Sequence, residues 1–206
     1  MALLRRADVV DGAIRLLDAE GLDGLTTRKL GASLGVDGSA LYRHFPNKTA
    51  LLEGIADRIV QGVDHSLPDG AWDEQLAVLA VRLRDALLAH RDGARLVAGT
   101  YVIGPNTQLS ADTMLGLLER AGFAPDRSGW ILFALNYYVL GYAIEEQALR
   151  GLIASGAWRR KREDMLDAAG SDYIRTAVSA TFEADPDERF EYGLRALLDG
   201  FRRELG

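Results

Sequence analysis

The segment SALYRHF, Ser39 to Phe45, carries hydroxyl, phenol, guanidinium and imidazole groups within seven residues. At helical spacing Leu41 and Phe45 (i, i+4) face a core, which leaves Ser39, Tyr42, Arg43 and His44 on the other face. These groups contact phosphates and base edges, and a purely structural helix rarely leaves Tyr, Arg and His together in solvent. Arg28, Lys29, Arg43 and Lys48 fall within one 21-residue stretch whose single acid is Asp37. Residues 1–48 hold seven basic and six acidic side chains, while the 206-residue chain has a net charge of −6, so the remainder carries −7. A small basic face on an acidic body suits site-specific contact with double-stranded DNA and not the coating of nucleic acid.

Other chemistry is poorly supplied. There is no cysteine, which excludes disulfides, thiolate metal sites and a cysteine nucleophile. The three histidines, His44, His65 and His90, are far apart and form no HxxxH or HExxH pattern. GxGxxG does not occur, the one GxSxG match (Gly31 to Gly35) falls in the short helical segment after Thr26 and not on a strand-to-helix turn, and no nucleophile–base pair or phosphate-cradling loop can be assembled. The expectation is a non-enzyme without cofactor or metal.

These residues need elements to hold them, and the chain reads as helix throughout. Ala and Leu supply 61 of 206 residues, and strand-like alternation is nowhere sustained. Val10, Ala13, Ile14 and Leu17 make one apolar stripe that Gly21 ends. Thr26 offers an N-cap for a short helix from Thr27 to Leu34, with Leu30 and Leu34 inward. Gly35 to Gly38 breaks it, Asp37 can cap a third helix from Ser39 to Phe45, and Pro46 closes that. Three short helices with a turn of about four residues before the last have the layout of a helix-turn-helix.

A longer helix is expected from Lys48 to just before Pro68, with Leu51, Leu52, Ile55, Ile59 and Val63 inward. The next carries Trp72, Leu76, Leu79, Ala80, Leu83 and Leu87 and ends at His90-Arg91-Asp92-Gly93. Further helices are expected over Gln108 to Ala121, from Pro125 to about Arg150, near Tyr173 to Phe182, and from Asp187 to Leu205, with residues 151–170 loose. The fold class is all-α, nine to ten helices, with a DNA-binding domain over residues 1–47 and a ligand-binding and dimerisation domain over residues 48–206. The N-terminus has too many charges for a signal peptide. The longest uncharged run, Ser128 to Ile144, has 17 residues and reads as a doubly buried helix, which points to a cytoplasmic protein.

The stretch GLTTRKLGASLGVDGSALYRHFPNKTALLEGIAD, Gly24 to Asp57, resembles the tetracycline-repressor (TetR) family of bacterial transcriptional regulators, whose pattern is LTTRKLAxxLGVxxxxLYxHxxNKxxLL. LLAHRDGARLVAGT (Leu87 to Thr100), LGYAIEEQ (Leu140 to Gln147) and the opening of the last helix (Phe190 to Leu194) extend the likeness, more loosely, over essentially the whole chain. The resemblance implies that Thr27 and Arg28 begin the helix crossing the DNA backbone, with Arg28 reaching a guanine edge. It gives Tyr42, His44 and Lys48 phosphate contacts, and Arg43 a base-reading position. At the start of the recognition helix the tetracycline repressor carries Gln-Pro-Thr where this chain has Gly38-Ser39-Ala40. The adenine-reading amide is gone, so the operator should differ.

In the body, Trp130 to Leu140 leaves hardly any polar face, so one side needs a partner. Phe190, Leu194, Leu197, Phe201 and Leu205 offer a second stripe, and the two helices of each subunit can build a four-helix bundle across a twofold axis. That predicts a homodimer, as the resemblance also implies. Asn136, Tyr137, Tyr138, Tyr142 and Glu145 set a few polar groups among aromatics, the usual lining of a small-molecule pocket; His65, Thr100, Tyr101, Asn106, Trp130 and Trp158 are further candidates. Core or interface roles fit each of these as well, and His90 is assigned to a helix end. By the resemblance, Val97, Leu79, Met114 and Tyr137 stand where the tetracycline repressor has its metal-binding histidine and other ligand hooks, while Glu145 and Thr100 are kept. The expected effector is therefore a small hydrophobic or aromatic compound bound without magnesium, and the protein a ligand-responsive repressor. Alternatives from other classes are a helical enzyme acting on the pocket ligand and a protein-only helical adaptor; binding to a palindromic duplex separates the first reading from both.

Overall fold

The computed structural model describes residues 4–205. Among them are ten α-helices and one 3-10 helix, without strands. The all-α expectation holds. The helices are α1 (Arg6–Glu20), α2 (Thr27–Ser33), the 3-10 helix (Gly38–Arg43), α3 (Lys48–Val60), α4 (Trp72–Leu88), α5 (Gly93–Ala98), α6 (Pro105–Ala121), α7 (Pro125–Ala154), α8 (Trp158–Asp167), α9 (Asp172–Glu183) and α10 (Pro186–Arg202). Two compact units form, one up to Ala143 and one from Ile144. Among the described residues no helix is long and apolar enough to cross a membrane.

In the first unit the caps sit where residue chemistry placed them. Gly21 adopts φ +76° and its N–H donates to Leu17 O, closing α1. Thr26 Oγ1 accepts from Lys29 N at 3.3 Å, and Asp37 Oδ1 accepts from Ser39 N at 2.8 Å. Asn47 Oδ1 accepts from Ala50 N at 2.8 Å and starts α3. Val9, Ala13 and Leu17 of α1, Leu30 of α2, Leu41, Phe45, Leu51 and Ile55 form the core around which these short helices close. Gly31 is needed for that closure, because a Cβ there would stand 2.9 Å from the Val36 carbonyl oxygen.

The turn between α4 and α5 docks on the end of α1. Asp18 accepts from Arg91 N at 3.0 Å and pairs with His90 Nδ1 at 3.1 Å. Asp92, left-handed at φ +56°, accepts from Leu22 N at 2.8 Å. His90 thus belongs to a helix end, as expected.

Four expectations need correction. The recognition helix is a single 3-10 stretch, Gly38–Arg43, with His44 as its cap. The helix after it stops at Val60 and not at Pro68; Gln61 and Gly62 bond back to Asp57 and Ile59 carbonyls, and residues 61–71 run on without a helix. Residues 151–170 are not loose throughout, because α8 occupies Trp158–Asp167. In the second unit it pairs with α9, where Trp158 meets Phe182 at 4.8 Å between ring centres and Arg162 bonds Glu183 at 2.6 Å. The α10 stripe splits: Phe190, Leu194 and Leu198 are buried, Leu197 and Phe201 are half-buried, and Leu205 is exposed. At about 100° per residue 197, 201 and 205 fall within about 20° of 190, 194 and 198, so these residues share one face, and what splits is burial along it, which falls towards the C-terminal end.

Candidate functional site

The 3-10 helix presents polar groups on a firm base. Leu41 and Phe45 are each 2% exposed and anchor it, while Asp37 caps its start. Bonding to the Ser39 side chain and backbone holds the Asp37 carboxyl below the usual carboxylate range, so the cap stays ionised. Arg6 lies over the Phe45 ring, 4.1 Å from its centre, and donates to the His44 carbonyl at 2.9 Å. On this base Ser39, Tyr42 and Arg43 are exposed, Tyr42 at 51%. Arg28 on α2 and Lys48 at the start of α3 are exposed too, while Thr27, Ala40 and His44 are half-buried. Lys29 is tied back to Glu20 of α1. Three guanidinium or ammonium groups with a phenol and a hydroxyl then stand on short, capped elements, an arrangement that grips phosphates and reaches into a groove.

The residues singled out for a small ligand are less gathered. His65 is half-buried and its Nε2 lies 2.8 Å from Ser110 Oγ of α6. Thr100 is half-buried and donates back to the Leu96 and Val97 carbonyls. Asn136 is half-buried on α7. Tyr101 is 90% exposed. Trp130 and Tyr137 are exposed on one face of α7, the first under the Arg127 guanidinium at 4.7 Å, the second 5.8 Å from the Phe133 ring. Glu145 is exposed. The opposite face of α7 in the first unit, Ile131, Leu132, Leu135, Val139 and Ala143, is buried. Leu79 and Met114 are buried in the first unit and Val97 is half-buried, all three apolar. Among the described residues no three His, Cys, Asp or Glu side chains converge as a metal site would require.

Two features escape sequence reasoning. A groove of about 540 Å³ opens between α1, α3 and residues 102–106, and of the candidate ligand residues Asn106 alone lines it. Beside it Asp57 of α3, 9% exposed, accepts from Asn106 N, Asn106 Nδ2 and Thr107 N at 3.1, 2.7 and 3.0 Å. Asn106, a pocket candidate by sequence, spends its amide there. Asp57 lies off the apolar register of α3 and its partners are 49 and 50 residues away, so periodicity carries no trace of the contact.

Comparison with known proteins adds independent findings. Residues 9–55 match the family described as bacterial regulatory proteins, tetR family, and residues 66–205 match the tetracyclin repressor-like C-terminal domain. The tetracycline repressor protein class A from transposon 1721 of Escherichia coli is 39% identical over 98% of this chain and 93% of its own. The Streptomyces coelicolor TetR family protein ActR, solved in complex with actinorhodin, superposes with a TM-score of 0.87 at 28% identity, covering 100% of both chains. BioQ, solved with its natural double-stranded DNA operator, superposes with a TM-score of 0.66 at 33% identity over 76% of this chain and 99% of its own.

Proposed function

The chain belongs to the tetR family of bacterial regulatory proteins, with a tetracyclin repressor-like C-terminal domain, and on that premise we propose that it is a ligand-responsive transcriptional repressor. It binds a palindromic operator as a homodimer and releases it when a small hydrophobic or aromatic compound binds. The observation that carries this reading is the exposed set Arg28, Tyr42, Arg43 and Lys48, held on helices whose opposite sides are core. Thr27, Ser39, Ala40 and His44 complete the DNA-contacting surface. Residues 1–47 read DNA; residues 48–206 bind the effector and form the dimer. A DNA partner places the protein in the cytoplasm, and its relatives act as regulators and not as enzymes.

The dimer uses the faces that one chain leaves open. Trp130, Phe133 and Tyr137 are 66%, 51% and 63% exposed on α7, an aromatic patch beyond what a monomer ordinarily leaves in water. On α10 the apolar stripe leaves Leu197 and Phe201 half-buried, and Leu205 just past the helix end is exposed.

His65, Thr100 and Asn136 are the half-buried polar groups available to an effector; Tyr101, Trp130, Tyr137 and Glu145 join once ligand or partner covers them. Buried Leu79 and Met114 and half-buried Val97 offer neither an imidazole nor an amide to a magnesium chelate, and an isolated carboxylate such as Glu145 is a poor site for a hard cation. The relative ActR binds actinorhodin in its solved complex, which supports a planar aromatic effector here. Such a compound acts by tilting α3 and changing the separation of the two recognition helices. A ~100-fold loss of operator affinity needs the ligand to favour the non-binding state by about 2.7 kcal/mol. The test is operator release titrated with tetracycline plus magnesium beside a panel of aromatic polyketides. Release by a polyketide without metal is expected; magnesium-dependent release by tetracycline alone contradicts the effector class.

A further inference from the structure

Asp57 is the one strongly buried charge on the helix that continues from the recognition segment. Its carboxylate sits against the first turn of α6, where Pro105 occupies the first position and the N–H groups of Asn106 and Thr107 have no partner within their own helix. It also receives the Asn106 side-chain amide and the Thr107 hydroxyl, which Thr107 shares with the Gly104 carbonyl. A carboxylate at a helix N-terminus is favoured by the helix dipole as well as by the bonds. Gly104 permits the approach: a Cβ there would stand 2.3 Å from the Asp57 carboxyl carbon.

Apolar packing on this side of α3 is broken around Ala50 and Gly54, although Ala56 and Val60 are buried. The 540 Å³ groove lies beside it, walled by Val10, Ala50, Gly54 and Ile103, and Ile103 is 89% exposed. The other side of α3 is packed, with Ile55 and Ile59 in the core. Directional hydrogen bonds to one carboxylate therefore hold α3 on α6 along a seam where side chains leave space. Asp57 is nine residues beyond Lys48, or roughly 13 Å along a helix at 1.5 Å per residue. A tilt of about 5° pivoting at Asp57 moves the Lys48 end by about 1 Å, several times the tolerance of a hydrogen bond.

We propose that Asp57 is a positioning residue that fixes the angle of α3 and so sets the half-site spacing the dimer accepts. The proposal rests on the repressor reading above. It predicts a defect in spacing discrimination, with contact to each half-site kept. The experiment begins by selecting operators from randomised inverted repeats with the unmodified full-length chain. Affinities are then measured for the selected duplex, for the same half-sites with one base pair added or removed between them, and for a single half-site. The unmodified protein should prefer the selected spacing by at least about tenfold. Asp57→Leu should bring the three spacings within about threefold of one another while single half-site affinity is kept. Asp57→Asn keeps one acceptor oxygen, which can serve the two backbone N–H groups that both bond Asp57 Oδ1, and should retain most of the preference. Should Asp57→Leu fail to fold, Asn106→Ala, which removes one bond from the α6 side, should still narrow the preference severalfold. Folded variants that keep full spacing preference, or that weaken all spacings and the half-site equally, would overturn the proposal. If the unmodified chain enriches no inverted repeat, the repressor reading itself fails.

Discussion

Arg28, Tyr42, Arg43 and Lys48 differ in what they can tell DNA apart by. A guanidinium can meet a base edge in two places, whereas a phenol or an ammonium at the groove margin meets phosphate. Tyr42→Ala and Lys48→Ala should therefore weaken binding to all sequences alike, and Lys48→Ala should also reduce the salt dependence by about one phosphate's worth. Arg28→Ala or Arg43→Ala should relax preference at one position in each half-site, at a cost of about 1–3 kcal/mol. Selection of preferred sites by each variant decides between the two roles, and an Arg28→Ala protein with unaltered preference removes Arg28 from the readers. These side chains stood out in the sequence because Tyr, Arg and His share a helical face opposite Leu41 and Phe45, and the structure leaves Tyr42 and Arg43 exposed there. The candidate effector residues leave a weaker trace in the sequence. His65, Thr100 and Asn136 came out half-buried, but Tyr101, Trp130 and Tyr137 face solvent in the single chain, and local spacing cannot show which face a second molecule will cover.

At the scale of elements, capping residues carried the most information. Thr26, Asp37 and Gly21 all act where their chemistry indicated, because caps are local interactions. Asn47 does the same for α3, bonding Ala50 N at 2.8 Å. Replacing it with Ala should lower stability by about 1 kcal/mol, read as a shifted denaturant midpoint with an unchanged slope. It should weaken operator binding too, since Lys48 begins the helix that Asn47 caps. Elements set by distant partners leave no such local signal. α8 has no buried residue and therefore no apolar stripe to announce it; its place comes from α9, through Trp158–Phe182 and Arg162–Glu183. α3 ends eight residues before Pro68 although Val63 continues its apolar spacing, since a buried residue fits a turn as well as a helix.

For the whole molecule, the acidic body with a small basic face makes specificity depend on two reading heads held at a fixed distance. That requires the dimer. Leu197→Glu with Phe201→Glu places charges on the half-buried part of the α10 stripe and should give monomers or aggregates by light scattering, with operator binding lost. A well-folded monomer of the unmodified chain would remove both the interface and the palindrome. The most direct measurement of the central claim is site selection from random duplex DNA with the full-length protein, followed by the mass of the complex on the selected duplex. Two chains on one inverted repeat are predicted, with half-sites one helical turn, ~34–36 Å, or a multiple of it apart, and with affinity that falls as salt rises. Enrichment of no sequence, or a single chain bound to a non-repeated site, would contradict it.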